Sequence, residues 1–169
     1  AYYRRSLPYF NKVKELIDED RIGNILSAEI KLMSVPKQED FNKDNLPWRV
    51  NREIAGGGYF YDMACHQLDL LDYFFGQISD VSGVFSNRKG LYGTEDTVAS
   101  SFRFENGIVG TGLWSFVADE DSETDRMEIV GEYGSILFSA FDFSPIVLHT
   151  HDKITEFKYL KSGLIKLYR

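Results

Sequence analysis

The sequence is poor in the features that define several classes of protein. It has one cysteine, Cys65, in 169 residues, so no intrachain disulfide can form. It holds no Asn-x-Ser/Thr glycosylation acceptor and no apolar run near the ~18 residues that a membrane helix needs. The first residues also lack the charged, apolar and small-residue zones of a signal peptide. These absences argue against a disulfide scaffold and against membrane insertion, and they favour a cytoplasmic location.

Basic charge is also scarce. There are 19 Lys and Arg against 26 Asp and Glu, a net charge of −7, and no basic run is longer than a pair such as Arg4-Arg5. Binding to nucleic acid through its phosphates is therefore disfavoured. What the chain does have is 43% hydrophobic and 15% aromatic residues, enough to bury one sizeable core. The length predicts a single domain over residues 1–169.

Apolar spacing predicts two helices, each closed by a glycine. The first runs from Pro8 to about Arg21, and the second runs from about Tyr61 to Phe75. β-branched and aromatic residues predict strands over 25–35, 78–86, 97–104, 108–116, 126–131, 134–139, 145–149 and 154–160.

Tight turns connect the predicted strands. Asn106-Gly107 is a hairpin signal, and Gly131 and Gly134 bound a second short turn. Consecutive hairpins give an antiparallel sheet. The sequence therefore predicts an α+β fold, a mostly antiparallel open sheet with helices packed on one face.

Two predicted strands carry apolar residues at both odd and even positions. Because the side chains of a strand alternate between the faces of its sheet, this pattern predicts an apolar face that the helices leave uncovered. Large exposed apolar patches usually mark interfaces, so we expect self-association through that face. The residues concerned are Val98, Phe102, Phe104, Val109, Leu113, Trp114 and Phe116.

The second helix carries the clearest chemical signal. At 100° per residue, Asp62, His66 and Asp69 fall at about 0°, 40° and −20°, so they project from one narrow face. A separate apolar stripe is expected to pack on the sheet, formed by Tyr61, Ala64, Leu68, Leu71 and Phe75. We expect the carboxylates to raise the pKa of His66 toward neutrality, which suits proton transfer. The alternative is a solvated face with an ordinary i,i+4 contact between His66 and Asp62.

A long loop over residues 36–58 leads into this helix. It ends in Gly56, Gly57 and Gly58, which permit positive φ and close approach of a ligand to the backbone. A flexible turn is an equally good explanation of the glycine run alone. The loop and the helix face together favour a binding site.

Further side chains are candidates for the same cleft. Trp48 and Arg49 could stack on or clamp a planar or anionic ligand, and the pair Arg4 and Arg5 could point into the cleft, with Arg5 the one we select. The alternatives are a half-buried indole and solvated charges. We predict no metal site, because neither Asp62 with His66 nor the pair of histidines at 149 and 151 has a convincing third ligand.

These pieces resemble the C-terminal domain of the glucose-fructose oxidoreductase and inositol dehydrogenase family, Gfo/Idh/MocA. The resemblance covers most of the chain, and its most specific part is the pattern GGG-x3-D-x3-H-x2-D. The matching segments are Tyr3-Arg4-Arg5, Asp20 to Gly23, Trp48-Arg49, Gly56 to Asp69, and Phe75-Gly76.

The resemblance implies a dihydrodipicolinate-reductase-like domain that follows an N-terminal Rossmann domain. NAD or NADP would be bound mainly by that other domain. This chain lacks that domain, and it therefore also lacks the domain's glycine fingerprint and catalytic lysine. Asp62 and His66 would be catalytic toward a sugar or cyclitol. Arg5, Trp48, Arg49, the glycine run and Asp69 would line the substrate and cofactor cleft. The open sheet would make homo-oligomer contacts, and the fragment alone would be inactive.

Two functions of other classes stay open at the level of sequence. One is a non-catalytic module for oligomerisation or ligand binding. The other is a glycoside hydrolase that uses a nicotinamide transiently. Fold analogy does not decide between them.

Overall fold

The structure, a computed structural model, describes residues 2–159. Its helices are α1 (Pro8–Asp18), α2 (Arg52–Ala55) and α3 (Tyr59–Phe75). Its strands are β1 (Ile25–Met33), β2 (Ile78–Ser86), β3 (Thr97–Phe104), β4 (Val109–Ser115), β5 (Thr124–Gly131), β6 (Gly134–Phe138), β7 (Ile146–Thr150) and β8 (Lys153–Phe157). The last residue of the predicted strand 154–160 lies outside the described residues.

The eight strands form one sheet in the order β2-β3-β4-β1-β5-β6-β7-β8. Every neighbouring pair is antiparallel except β1 and β4, which run parallel. The predicted α+β architecture, a mostly antiparallel open sheet with helices, is therefore confirmed. The one parallel pair brings the beginning of the chain into the middle of the sheet.

The first helix is shorter than predicted. It ends at Asp18 rather than near Arg21, because Asp20 has a φ of 57° and Gly23 a φ of 73°. Both values lie in the left-handed region, which ends a right-handed helix. The chain then turns directly into β1.

The loop before α3 is more ordered than predicted. It contains short 3-10 turns and α2, and the side chain of Asn51 caps α2 by accepting a hydrogen bond from the Glu53 amide at 3.0 Å. Gly58 is the N-cap of α3, so that helix starts at Tyr59, two residues earlier than predicted. This start places the first turn of α3 beside the loop.

The core lies between the helices and one face of the sheet. Trp114 of β4 is completely buried, and its Nε1–H donates to Oε1 of the equally buried Gln67 of α3 at 2.7 Å. The ring of Phe60 packs edge-on against that indole, with centroids 5.1 Å apart. This contact fixes α3 on the sheet and thereby fixes the face of α3 that points away from it.

The prediction of an apolar uncovered face is wrong. Most of the named residues point into the core and are at most 8% exposed, namely Val98, Phe102, Phe104, Trp114 and Phe116. The reason is that Gly110 and Gly112 lie beneath the rings of Phe102 and Trp114, where a Cβ would clash. The uncovered face carries polar side chains such as Glu29, Lys31 and Arg103, and of the named residues Val109 is exposed, at 47%.

The apolar stripe of α3 also differs from the prediction at one position. Ala64 and Leu71 are buried as predicted, but Tyr61 is 59% exposed and lies outside the core. Tyr59 is buried in the first turn instead. Within the described part of the chain, no helix is both long and apolar enough to span a membrane.

Candidate active site

A cleft of about 360 Å³ opens beside the first two turns of α3. The structure brings together five of the predicted site residues there, Trp48, Arg49, Gly58, Asp62 and His66. The rest of the lining comes from Tyr2, Ala55, Tyr61 and Cys65. The cleft thus combines aromatic faces with one carboxylate, one guanidinium and one imidazole.

Asp62 is held by the loop in front of α3. Nε of Arg49 donates to Oδ2 of Asp62 at 2.8 Å, and the guanidinium of Arg49 stacks on the indole of Trp48 at 4.7 Å from the ring centroid. Trp48 itself is 53% exposed. The ion pair engages one carboxylate oxygen, and the other has no hydrogen-bond partner within residues 2–159.

His66 lies one helical turn beyond Asp62 on the same wall. Its ring packs edge-on against Tyr2 and Phe141, with centroids 6.0 Å and 6.3 Å away. Its Nδ1 is buried and has no hydrogen-bond partner within residues 2–159. Because buried polar atoms are nearly always paired in folded proteins, this unpaired nitrogen makes His66 a candidate for contact with a ligand.

The expected rise in the pKa of His66 is wrong. Burial lowers the pKa of this imidazole below its ordinary 6.5, and the positive charge of Arg4 lowers it further. Asp62 and Asp69 act in the opposite direction but do not outweigh burial. Each of these carboxylates is already paired with an arginine. His66 is therefore neutral at pH 7.

Asp69 and Arg5 lie together, but outside the cleft. Nε of Arg5 donates to Oδ1 of Asp69 and its Nη2 donates to Oδ2 of Asp72, both at 2.9 Å. The guanidinium of Arg5 also lies 5.7 Å from the ring centroid of Tyr73. This network joins the N-terminal turn to the middle of α3.

Backbone conformation and packing within the protein explain why glycine occupies positions 56–58. Gly56 has a φ of 78° and ends α2, while a Cβ on Gly57 would overlap the ring of Tyr61. A Cβ on Gly58 would lie 3.0 Å from Cβ of Thr94 and 3.2 Å from the carbonyl oxygen of Glu95. The run therefore allows the loop to pack closely against the start of α3.

Replacing Gly58 with alanine is expected to lower the free energy of unfolding by about 1–3 kcal/mol, the usual range for overpacking. The added methyl has to displace Thr94 or the backbone at Glu95. Gly93→Ala is the matched control, because it has no heavy atom within 4 Å of the new Cβ and no positive φ. Urea unfolding of the two variants measures the difference, and equal stabilities would contradict the packing described here.

Sequence reasoning missed Tyr2, Cys65 and Phe141, and it selected Arg5 rather than Arg4. Arg4 and Arg5 are adjacent and chemically identical, and only burial separates them, at 7% exposure for Arg4. Cys65 has no pattern to identify it as a cleft residue. Burial raises the pKa of its thiol, which donates to the Asp62 carbonyl at 3.4 Å, so Cys65 stays protonated.

The cleft fits the reactive end of a nicotinamide cofactor but not a whole dinucleotide. Its volume suits one ring beside a small substrate, and Trp48 offers an aromatic face. The glycines before α3 follow a helix, and the missing Cβ atoms of Gly57 and Gly58 face the side chains of Tyr61 and Thr94. Residues 2–159 thus supply no glycine-rich cradle for a pyrophosphate.

The family model for the GFO/IDH/MocA C-terminal domain matches residues 10–137. The chain belongs to this family. Oxidoreductase P35 of Formosa agariphila is 38% identical over 159 residues, covering 94% of this chain and 48% of the relative. Levoglucosan dehydrogenase of Pseudarthrobacter phenanthrenivorans is 30% identical over 165 residues, covering 82% of this chain and 41% of the relative.

Solved structures of the Gfo/Idh/MocA family share the fold. A levoglucosan dehydrogenase in complex with NADH and levoglucosan superposes with a TM-score of 0.78 at 29% identity. That match covers 95% of this chain and 46% of the solved chain. This chain therefore spans about half the length of the relatives it matches.

Proposed function

We propose that this chain is the substrate-binding and catalytic half of an NAD(P)-dependent oxidoreductase. The reaction is hydride transfer at a secondary hydroxyl or carbonyl of a sugar or cyclitol. One observation carries the proposal: Asp62 and His66 lie one turn apart in a single cleft, and the buried Nδ1 of His66 has no partner among the described residues. The family relationship and the NADH and sugar ligands of a solved relative support it.

His66 acts in this proposal as the general acid and base. Its neutral imidazole accepts the hydroxyl proton as the carbon is oxidised, and it returns that proton in the reverse direction. A bound nicotinamide supplies the hydride acceptor or donor. The proton transfer needs a ligand oxygen within hydrogen-bond reach of the ring, and His66 lines the cleft in which that ligand would lie.

Asp62 holds the substrate rather than a proton. Arg49 fixes one of its carboxylate oxygens at 2.8 Å, which leaves the other free to accept a bond from a neighbouring hydroxyl. Trp48 and Tyr61, both more than half exposed at the cleft, offer apolar faces to the ring of a sugar. Polar and aromatic contacts of this kind suit a polyhydroxylated ring.

We assign dinucleotide binding to a separate N-terminal domain and expect this chain to be inactive alone. The absence of a pyrophosphate cradle in residues 2–159 supports that assignment, as does the length of the relatives. Titration of NADH into the isolated chain is expected to show no saturable binding in the micromolar range. Saturable micromolar binding would contradict the assignment of dinucleotide binding to a separate domain.

A turnover assay with the full-length protein tests the function itself. A panel of sugars and cyclitols is added with NAD or NADP, and both nicotinamide absorbance and released sugar are followed. A net change in nicotinamide absorbance is expected. Release of sugar without a net change would favour the glycoside hydrolase, and binding without turnover would favour the non-catalytic module.

We further propose that a second copy of the chain covers the open sheet face. Glu29 lies opposite Glu128, and Lys31 lies opposite Arg126, so an acidic row and a basic row are adjacent. Arg126 pairs with Glu128, whereas Glu29 and Lys31 have no ion-pair partner within residues 2–159. A two-fold axis would place the acidic row of one copy on the basic row of the other.

Lys31→Glu is expected to reduce the fraction of dimer in solution, measured as the molecular mass at high protein concentration. A monomeric wild type at high concentration would overturn the proposal.

A further inference from the structure

Arg4 is a buried cation without a carboxylate partner. Arg4 is 7% exposed, and no Asp or Glu of residues 2–159 lies within ion-pair distance of its guanidinium. Nε donates to the carbonyl of Ala140 at 3.3 Å, and Nη1 donates to the hydroxyl of Tyr3 at 2.9 Å. Its neighbour Arg5 has two carboxylate partners and lies nearer the surface.

The surroundings hold this guanidinium in one place. It stacks on the ring of Phe141, with Cζ 4.8 Å from the centroid. Asp125 in turn accepts hydrogen bonds from the amides of Ala140, Phe141 and Asp142, at 3.2, 2.6 and 3.1 Å. The carbonyl and the ring that bind Arg4 are thereby fixed by one carboxylate.

His66 packs against the same Phe141 ring, and Tyr2, two residues before Arg4, packs against His66. The orphan Nδ1 of His66 is therefore enclosed near a positive charge that nothing in the described chain neutralises. A fixed charge in a poorly solvated region acts over a longer range than a surface charge.

We propose that Arg4 is a positioning residue whose fixed charge, held against the same Phe141 ring as His66, favours the neutral imidazole, so that the ring enters the reaction as a base; this inference rests on the proposed function of His66. The charge favours the proton acceptor needed to oxidise a hydroxyl at neutral pH. It also favours negative charge on the substrate oxygen as the proton leaves.

The charged groups of α3 around His66 are paired. Asp62 and Asp69 favour the protonated ring, but Arg49 and Arg5 pair with them. Next to His66, Cys65 is a neutral thiol, and Tyr2 presents its ring.

On the loop side, Asp125 faces backbone amides and Asp142 is exposed. Burial of the ring acts in the same direction as Arg4.

Titration of the three histidines by NMR tests the proposal on the chain itself, because no substrate is needed. Arg4→Gln is expected to raise the pKa of His66 by about half to one pH unit, the order of magnitude expected for removal of one nearby cation. Arg4→Lys keeps the charge and is expected to restore most of the wild-type value. Arg5→Gln is the matched control and is expected to move the pKa of His66 much less.

An unchanged His66 pKa in folded Arg4→Gln would overturn the proposal. Arg4→Met, which keeps most of the side-chain volume, replaces it if Arg4→Gln does not fold. The wild-type chain provides an independent check, because a His66 that titrates at or above 6.5, the ordinary value for this side chain, would also overturn it.

Activity separates this inference from the proposed function. In the full-length enzyme, the acidic limb of kcat/KM for oxidation is expected to move to higher pH in Arg4→Gln. If the NMR result holds but no sugar is turned over, the proposed function fails and the coupling of Arg4 to His66 stands. If turnover occurs and the acidic limb does not move, Arg4 has no part in the reaction.

Discussion

His66→Ala in the full-length protein is expected to lower kcat by about 10²- to 10⁴-fold, with a much smaller rise in KM. The reason is that a positioned acid and base acts mainly in the transition state, where the substrate oxygen gains or loses its proton. Loss of such a group lowers kcat, whereas loss of uniform binding raises KM. Steady-state kinetics measures both values, and circular dichroism checks that the variant is folded.

His151→Ala is the matched control, since His151 is exposed in the turn between β7 and β8. It is expected to keep nearly wild-type kinetics. If His66 were only a surface partner of Asp62, its loss would cost about 0.5 kcal/mol of stability at most and leave turnover intact. A folded His66→Ala enzyme with more than about half the wild-type kcat would contradict the site, because loss of general acid-base catalysis costs at least ~10².

Trp114→Ala is expected to lower the free energy of unfolding by about 3–5 kcal/mol, the range for removal of a large aromatic side chain from a core. Trp114 is completely buried beneath α3, so its removal leaves a cavity. It also removes the only hydrogen bond described for the Gln67 side chain, whose Nε2 is already unpaired in the described chain. Urea unfolding of the isolated chain measures the change. The free energy of unfolding of a whole domain is typically about 5–15 kcal/mol, so a loss of this size is readily detected.

Trp48→Ala is the matched control, because the chain has two tryptophans and Trp48 is 53% exposed. Its effect on stability is expected to stay within about 0.5 kcal/mol, as for other surface positions. Its effect on sugar binding is expected to be the larger one, since the indole lines the cleft. Similar losses of stability in the two variants would contradict the placement of the core.

Local sequence patterns were sufficient to predict the architecture. Asn106-Gly107 and the glycines around residues 131–134 specify turns, and alternation specifies most of the strands between them. The parallel pairing of β1 with β4 could not be predicted in this way. It depends on contacts between residues more than 75 positions apart, such as Ser27 with Val109.

The wrong predictions concern side chains whose direction depends on tertiary packing. The aromatic residues of β3 and β4 are numerous enough to cover both faces of the sheet, but Gly110 and Gly112 make room for the rings of Phe102 and Trp114 on the face that the helices cover. Tyr61 has the spacing of a core residue, yet α3 is rotated so that Tyr59 takes that position. Neither outcome leaves a signal in hydrophobicity alone.

The geometry of the candidate site could be predicted only where it is local. Helical spacing predicts that Asp62 and His66 share one wall, and both line the cleft because that geometry is local to α3. The charge state of His66 is not local, since it depends on Arg4 and on burial under Phe141, which follows 75 residues later. The choice between Arg4 and Arg5 likewise depends on which of them meets the carboxylates of α3.

The most direct test of the central claim is a single-turnover measurement of hydride transfer in the full-length protein. Enzyme is saturated with its oxidised cofactor and mixed with excess sugar substrate, and the rise in nicotinamide absorbance is followed for the wild type and for His66→Ala. Hydride transfer itself is expected to slow by at least ~10²-fold in the variant, with little change in the substrate concentration that gives half the maximal rate. An unchanged rate of hydride transfer in a folded, cofactor-loaded variant would contradict the assignment of His66 as the acid and base of this cleft.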